Sequence, residues 1–229
     1  AGSSASQVVD GLYLGNIKDA ETSESLSENG ITHILSVYNN PKPVFEDKKY
    51  LCIHAVDASS QNLIQHFKEC IGFIHECRLT GGACLVHCLA GASRSTTMVV
   101  AYLMTVTHYT WEDCLSAVKS VRSFVDPNPG FRDQLQEYQD TRVSEYRAWL
   151  ESSFLSSPFK DSDQVGALLS QRMDPVRLIC VFFLLYNAFL GWCDSYSGAT
   201  CSTENTVISS LCLKLHFSCK SGLFVYENR

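Results

Sequence analysis

The sequence predicts an α/β fold in which a twisted, mostly parallel central sheet is flanked by helices. Two observations support this fold class. Short β-type runs alternate with helix-compatible stretches in the first half of the chain, and helical patterns follow one another in the second half. The run Ile31–Val37 is rich in β-branched and apolar residues, as expected of a buried strand in a parallel sheet.

Four β-type runs supply the predicted strands. The first run is broken at Asp10-Gly11 into two short strands, because this dipeptide favours a turn. The last run leads directly into a loop that contains a histidine, a cysteine and an arginine. The four runs are Gln7–Leu14, Ile31–Val37, Tyr50–Val56 and Ala83–Val86.

Five stretches are predicted as helices from their apolar spacing or from capping residues. Gly30 marks the end of the first helix. Thr110 and Asp113 form a capping-box-like start for the fourth. The third is apolar nearly all round over Met98–Met104, which predicts a buried helix. The five stretches are Asp19–Asn29, Asn62–Leu79, Ser95–Thr107, Thr110–Phe124 and Phe131–Leu150.

Length, charge and cysteine usage limit the class of protein. A chain of 229 residues has room for one domain of ordinary size and a tail. The net charge of −6 argues against a nucleic-acid-binding surface. The 11 cysteines include no C-x-x-C pair, which argues against a zinc site. The predicted location is the reducing cytoplasm, and a nuclear location is not excluded by the sequence.

The stretch Ala83–Ser95 places a cysteine and an arginine in one short loop between a strand and a helix. The strand delivers His87 and Cys88, Gly91 bends the loop, and Arg94 closes it. Loop N–H groups and the dipole of the following helix converge on one point and form an anion cradle. Such a cradle lowers the pKa of a cysteine, because it favours the thiolate. An arginine fork binds two phosphate oxygens at once. The loop therefore predicts phosphoryl transfer through cysteine.

The other loop residues have predicted roles as well. Gly91 allows the backbone to approach the phosphate without a Cβ in the way. His87 is expected to orient the loop through hydrogen bonds and not to act as the base, because it points to the opposite face from the nucleophile. Ser95 either helps the thiolate to leave the phosphocysteine or is an ordinary helix-start serine. The predicted phosphate-binding set is Leu89, Ala90, Gly91, Ala92, Ser93 and Arg94.

A thiolate that displaces an alkoxide or a phenoxide needs an acid to protonate the leaving oxygen. Asp57 is the predicted acid, because it follows a strand whose carboxyl end is expected to open beside the loop. Its alternative role is to cap the following helix. Asn128, in the rigid turn Asp126–Gly130, either braces the loop from behind or is a plain turn asparagine. Neither a metal ion nor a cofactor is required by a cysteine mechanism.

The loop and its surroundings resemble a known family of enzymes. His87–Ser95 matches the H-C-x-x-G-x-x-R-S/T signature of the cysteine-dependent protein tyrosine phosphatases, and Ala101–Met104 is typical of their dual-specificity branch. The protein is most similar to the small atypical dual-specificity phosphatases, in the subgroup of the Jun-N-terminal-kinase-stimulatory and VH1-related member Y enzymes. That similarity lies in residues 11–16, 32–37, 66–71, 73–79, 104–107 and 126–131.

The resemblance spans roughly residues 8–161 and implies a protein tyrosine phosphatase-like fold. It also implies that Cys88 is the nucleophile, Arg94 the phosphate clamp and Asp57 the general acid. The implied reaction is hydrolysis of phosphotyrosine and phosphoserine/threonine in a shallow pocket, through a phosphocysteine intermediate. The implied substrates are phosphoproteins, including components of mitogen-activated protein kinase cascades such as the Jun N-terminal kinase pathway.

Two other functions are weighed against this one. A phosphoinositide or RNA phosphatase would favour lysines inside the loop, whereas Leu89, Ala90 and Ala92 offer none. A catalytically silent scaffold would typically lack the cysteine, the arginine or the aspartate, and all three are present here. Dual-specificity protein phosphatase is therefore the leading interpretation.

Domain boundaries follow from composition and from the extent of the resemblance. Residues 1–6 are predicted to be an acylation site at Gly2 or a remnant of cloning, although the related subgroup begins with M-G-N-G and residues 1–4 here read A-G-S-S. Residues 7–154 form the predicted catalytic domain, 155–175 a linker, and 176–229 an apolar, cysteine-containing tail of no assigned role.

The tail contains the most apolar run of the protein, Leu178–Trp192. It falls short of the roughly 20 residues that a membrane span needs. A helix packed on the domain, a membrane-surface segment and a non-native tail remain open as interpretations. Peripheral membrane association through either terminus is a further hypothesis.

Overall fold

A five-stranded sheet organises residues 4–171, the part of the protein that the computed structural model describes. Its strand order is β1-β2-β5-β3-β4. The first two strands are antiparallel, and all other neighbours are parallel. The strands are β1 (Ser6–Val9), β2 (Leu12–Gly15), β3 (Ile31–Tyr38), β4 (Lys49–His54) and β5 (Ala83–His87). The predicted fold class, a mostly parallel sheet flanked by helices, is confirmed.

Eight helices are present in the described residues, with a short 3-10 turn at Ile64–His66 before the third. The helices are α1 (Ile17–Glu21), α2 (Ser23–Glu28), α3 (Phe67–Leu79), α4 (Arg94–Val106), α5 (Trp111–Val121), α6 (Pro129–Thr141), α7 (Val143–Ser153) and α8 (Asp161–Gln171).

Two predicted helices are each divided in the structure. The stretch Asp19–Asn29 was expected to be one helix, but Thr22 adopts an extended conformation and separates α1 from α2. Asn16 also starts α1 earlier than expected, because its side chain caps the helix together with Asp19. The stretch Phe131–Leu150 is likewise divided at Arg142, whose φ of −131° ends α6 before α7 begins.

Helix α8 lies inside residues 155–175, where composition predicted a linker. Its first residue, Asp161, is buried and forms a two-point ion pair with Arg78 of α3, with Nη2–Oδ1 at 2.7 Å and Nη1–Oδ2 at 3.0 Å. Val165 of the same helix is fully buried. The polar composition of this segment thus conceals a packed helix, because its anchoring partner lies 83 residues away in sequence.

The parallel strands bring the functional loop to one edge of the sheet. Strand β5 lies between β2 and β3, and His87 at its end is level with Gly15 and Ser36 of these neighbours. Residues that follow the four parallel strands therefore meet at the carboxyl edge. Helix α4 leaves this edge and is buried from Arg94 to Thr105, as the apolar pattern predicted.

Both predictions about the termini concern residues outside the described part. Gly2 and the apolar run at residues 178–192 belong to the segments 1–3 and 172–229. Between residues 4 and 171, no helix combines the length and the apolarity needed to cross a membrane.

Candidate active site

Cys88 lies at the base of the loop that joins β5 to α4, and it is 1% exposed. Its Sγ accepts a hydrogen bond from the backbone N–H of Gly91 at 3.2 Å and another from the hydroxyl of Ser95 at 3.2 Å. The predicted approach of the Ser95 hydroxyl to the sulfur is therefore found in the structure.

The pKa of the Cys88 thiol is lowered from its ordinary value. Burial by itself is the largest effect and would raise this pKa, because it disfavours the charged thiolate. Hydrogen bonds from the Ser95 hydroxyl and from the backbone N–H groups of Ser95, Ala92 and Gly91 together outweigh that effect. The loop thus stabilises a thiolate with donors that surround it, as expected at a helix N-terminus.

Gly91 is required where the loop packs against its neighbours in the fold. Its φ of +69° is in the left-handed region that favours glycine. A Cβ at this position would collide with the carbonyl oxygen of Gly15 and would lie 2.7 Å from Nη2 of Arg122. The structure shows that this glycine leaves room for the neighbouring strand and for a second arginine. The room it leaves for a phosphate stays a prediction.

Arg94 is 5% exposed, and two hydrogen bonds hold its guanidinium. Its Nη1 donates to Oδ1 of Asn39 at 3.0 Å and to the carbonyl oxygen of Ala55 at 3.1 Å. Its Nε makes no hydrogen bond within the described residues and lies 3.8 Å from Oδ2 of Asp57. A buried guanidinium with an unused N–H is suited to bind an anion, since a buried donor without a partner is unfavourable.

Asp57 is joined to the loop by a hydrogen-bonded cluster. Its Oδ1 accepts from Oγ of Ser93 at 2.7 Å and from Nδ2 of Asn128 at 2.8 Å. The backbone N–H of Asn128 donates to the same Ser93 hydroxyl at 3.2 Å. The structure thus brings together three of the predicted site residues, and Asn128 also caps α6 by accepting from the N–H of Phe131.

The turn that contains Asn128 packs on both the loop and the Asp57 segment. The N–H of Asp126 donates to the carbonyl oxygen of Ala92 at 2.8 Å. A Cβ at Gly130 would collide with the backbone of Ser59, so that the turn and the segment after Asp57 are in close contact. The position of Asp57 is therefore determined by a turn about seventy residues away in sequence.

His87 is 3% exposed, and its ring contacts Ser36 of β3 and the backbone of Cys88. Its Nε2 is 2.7 Å from Oγ of Ser36, and its Nδ1 is 3.3 Å from the carbonyl oxygen of Cys88. Burial lowers the pKa of His87 to about 4, so the imidazole is neutral at pH 7. A neutral imidazole that is hydrogen-bonded to the carbonyl oxygen of Cys88 is suited to orient the loop.

Two residues at the site were missed from the sequence. Asn39 holds Arg94, and its position two residues after the predicted strand Ile31–Val37 was the available signal, because it places the residue near the carboxyl edge. Arg122 follows α5 and donates to the carbonyl oxygens of Gly91 and Ala90. No pattern around Arg122 indicates that its guanidinium is buried, so this contact is visible only in the structure.

Comparison with known proteins identifies the family. The family model described as "Dual specificity phosphatase, catalytic domain" matches residues 12–141, which include the whole loop, Asp57 and Asn128. The chain belongs to this family. The predicted family membership and enzyme class are thereby confirmed.

Individual relatives place the protein within the family. It is 72% identical over 169 residues to dual specificity protein phosphatase 22-A of Danio rerio, an alignment that covers 81% of the relative and 74% of this chain. It is 52% identical over 169 residues to human dual specificity protein phosphatase 22, which covers 92% of that relative and 74% of this chain. The crystal structure of DUSP15 matches with a TM-score of 0.65 at 49% identity, covering 98% of that structure and 67% of this chain.

The reaction class follows from these relationships. The protein is a dual-specificity phosphatase that acts on phosphoprotein substrates through the cysteine chemistry general to its family. The alternative interpretations as a phosphoinositide or RNA phosphatase or as a silent scaffold receive no support from the relatives named above.

Proposed function

We propose that Cys88, Arg94 and Asp57 carry out the phosphatase reaction in two steps. The observation that carries this proposal is the position of the thiol at the focus of the loop donors, with Asp57 bonded to the same loop through Ser93. In the first step, the thiolate attacks phosphorus, the S–P bond forms and the bond to the leaving oxygen breaks. Asp57 delivers its proton to that oxygen.

The phosphoryl group is held by the loop N–H groups and by Arg94. The N–H groups of residues 89–94 supply donors at a helix N-terminus, and Nε of Arg94 adds an unused charged donor. Asn39 and the carbonyl of Ala55 orient the guanidinium from behind. These groups are suited to stabilise the extra charge on the equatorial oxygens of the transition state.

In the second step, Asp57 takes a proton from water, the water oxygen attacks phosphorus and the S–P bond breaks. The Ser95 hydroxyl, 3.2 Å from Sγ, stabilises the thiolate as it leaves. Ser93 and Asn128 hold the carboxylate of Asp57 between the two steps. His87 supports the loop through its contact with the Cys88 carbonyl.

The substrates that we propose are proteins phosphorylated on tyrosine, serine or threonine within kinase cascades, the Jun N-terminal kinase pathway among them. Support comes from the similarity to the named phosphatases and from the apolar loop residues Leu89, Ala90 and Ala92, which offer no lysine for a second phosphate. We propose that the enzyme acts in the cytoplasm, with peripheral membrane association through an acylated N-terminus or the apolar C-terminal segment.

Turnover of para-nitrophenyl phosphate by Cys88→Ser tests the nucleophile. The expected result is complete loss of turnover, because a serine hydroxyl is not ionised near neutral pH. Cys52→Ser is the matched control, since Cys52 is a half-buried free cysteine on β4 and is expected to keep wild-type turnover. A Cys88→Ser enzyme with wild-type turnover would contradict the mechanism.

A further inference from the structure

We infer that Arg122 is a positioning residue that holds the phosphate-binding loop in its thiolate-stabilising conformation from behind. This inference rests on the proposed role of Cys88. Arg122 is 2% exposed and lies at the end of α5, outside the loop and outside the sequence motif that contains the cysteine.

The guanidinium contacts the two peptide groups whose N–H groups donate hydrogen bonds to the sulfur of Cys88. Its Nε donates to the carbonyl oxygen of Gly91 at 2.9 Å, and its Nη2 donates to that of Ala90 at 3.4 Å. The N–H groups of these same two peptide units belong to Ala92 and Gly91, and both donate to Cys88. Because a peptide group is planar and trans, a carbonyl held toward Arg122 turns its N–H toward the sulfur.

The cost of burying this guanidinium indicates more than a packing role. Within residues 4–171 no carboxylate lies within ion-pair distance of Arg122, although Asp19 attracts it electrostatically. Its remaining hydrogen-bond partners, at 3.4 to 3.5 Å, are the neutral oxygens of Ser4, Ser6 and Leu14. Burial accordingly lowers its pKa, but an arginine remains charged. A buried charge without a carboxylate in direct contact is unfavourable unless other groups nearby compensate it.

The anions that attract this charge are the Asp19 carboxylate and the Cys88 thiolate. Both raise the pKa of the arginine and partly offset its burial, Asp19 more than Cys88. Of the two, only Cys88 belongs to the loop that Arg122 contacts through its hydrogen bonds. The surroundings are also shaped for a guanidinium. Gly91 leaves room for Nη2, and the ring of Phe124 covers the guanidinium with its centroid 4.6 Å from Cζ.

The test is the pKa of the Cys88 thiol in Arg122 variants. It is read from the pH dependence of iodoacetamide alkylation, with mass spectrometry of the peptide that contains Cys88, so that turnover is not needed. Arg122→Gln removes the charge and one of the two donors to the loop, and is expected to raise the pKa of Cys88 by about one unit. The acidic limb of the pH profile of kcat/KM is then expected to move to higher pH by the same amount. At pH values below the pKa of the thiol, kcat/KM is expected to fall about tenfold.

Arg122→Lys keeps the charge but loses the two-point contact, because one ammonium replaces a planar fork. The pKa of Cys88 is expected to rise by less than in Arg122→Gln. If Arg122→Gln does not fold, Arg122→Lys tests whether Arg122 affects this pKa. Arg78→Met is the matched control, since it also removes a buried guanidinium but lies away from the loop. It is expected to lower the melting temperature and to leave the Cys88 pKa unchanged.

An unchanged pKa of Cys88 in a folded Arg122 variant would overturn the inference. An equal rise in Arg78→Met would also overturn it, because the effect would then come from general destabilisation. Failure of the proposed function is a separate result, since it would appear as retained turnover in Cys88→Ser. The alkylation measurement reports the thiol whether or not that thiol is the nucleophile.

Discussion

The hydroxyl of Ser93 donates a hydrogen bond of 2.7 Å to Oδ1 of Asp57 and thereby joins the proposed acid to the phosphate-binding loop. The same hydroxyl accepts from the backbone N–H of Asn128, whose side chain donates to the same carboxylate oxygen. A single serine is thus the point at which the loop, the acid segment and the turn before α6 meet.

Substitution Ser93→Ala is expected to slow the hydrolysis of phosphopeptides by about tenfold, through loss of roughly 1.5 kcal/mol from a hydrogen bond to a charged group. The physical reason is a less well-positioned Asp57. With para-nitrophenyl phosphate, whose leaving group needs little protonation, the loss is expected to be smaller. Ser120→Ala, which removes only a local hydrogen bond within α5, is the control for both substrates.

Substitution Asp57→Asn tests the acid directly. Removal of a general acid costs typically 10² to 10⁴ in rate, so a loss of about that size is expected in kcat with a phosphotyrosine peptide. The loss with para-nitrophenyl phosphate is expected to be smaller. Asp126→Asn removes an exposed carboxylate from the neighbouring turn, where it pairs with Arg132, and is expected to leave both rates near wild type. Equal losses on the two substrates for Asp57→Asn would count against the assignment.

The hydroxyl of Ser95 lowers the pKa of Cys88, and its removal is expected to change the pH profile. In Ser95→Ala the pKa of the thiol rises toward its ordinary value, so the acidic limb of kcat/KM moves to higher pH. Hydrolysis of the phosphocysteine also slows, because the leaving thiolate loses a donor. Rapid-quench measurement is expected to find accumulated phosphoenzyme. Ser95→Thr keeps the hydroxyl and is expected to resemble wild type, and an unshifted profile in Ser95→Ala would contradict this role.

The buried ion pair between Arg78 and Asp161 is expected to anchor α8 to the catalytic domain. Asp161→Asn leaves an uncompensated buried guanidinium and is expected to lower the free energy of unfolding by about 3 to 5 kcal/mol, measured by urea denaturation. Glu76→Gln removes the carboxylate of the exposed ion pair with Lys49, and it is expected to change the free energy of unfolding by less than about 1 kcal/mol. Similar losses in the two variants would show that burial does not strengthen the first pair.

Local patterns were sufficient for most of the strands and for the long buried helix. Ile31–Val37 and Ala83–Val86 lie within β3 and β5, because apolar, β-branched runs have one favourable environment in a parallel sheet. Helix boundaries were less predictable. Thr22 and Arg142 divide two apparently continuous helices through backbone conformations that their neighbours in sequence do not dictate.

The chemistry of the loop was determined by the sequence itself, since a strand, a cysteine, a glycine, an arginine and a helix start within thirteen residues can form an anion cradle by local geometry alone. The tertiary structure decided what surrounds that cradle. Asn39 behind Arg94, Arg122 behind Gly91, and Ser93 with Asn128 around Asp57 are contacts between segments up to about seventy residues apart. Such contacts depend on how the elements pack, and no local pattern encodes the distance between two side chains that meet only after folding.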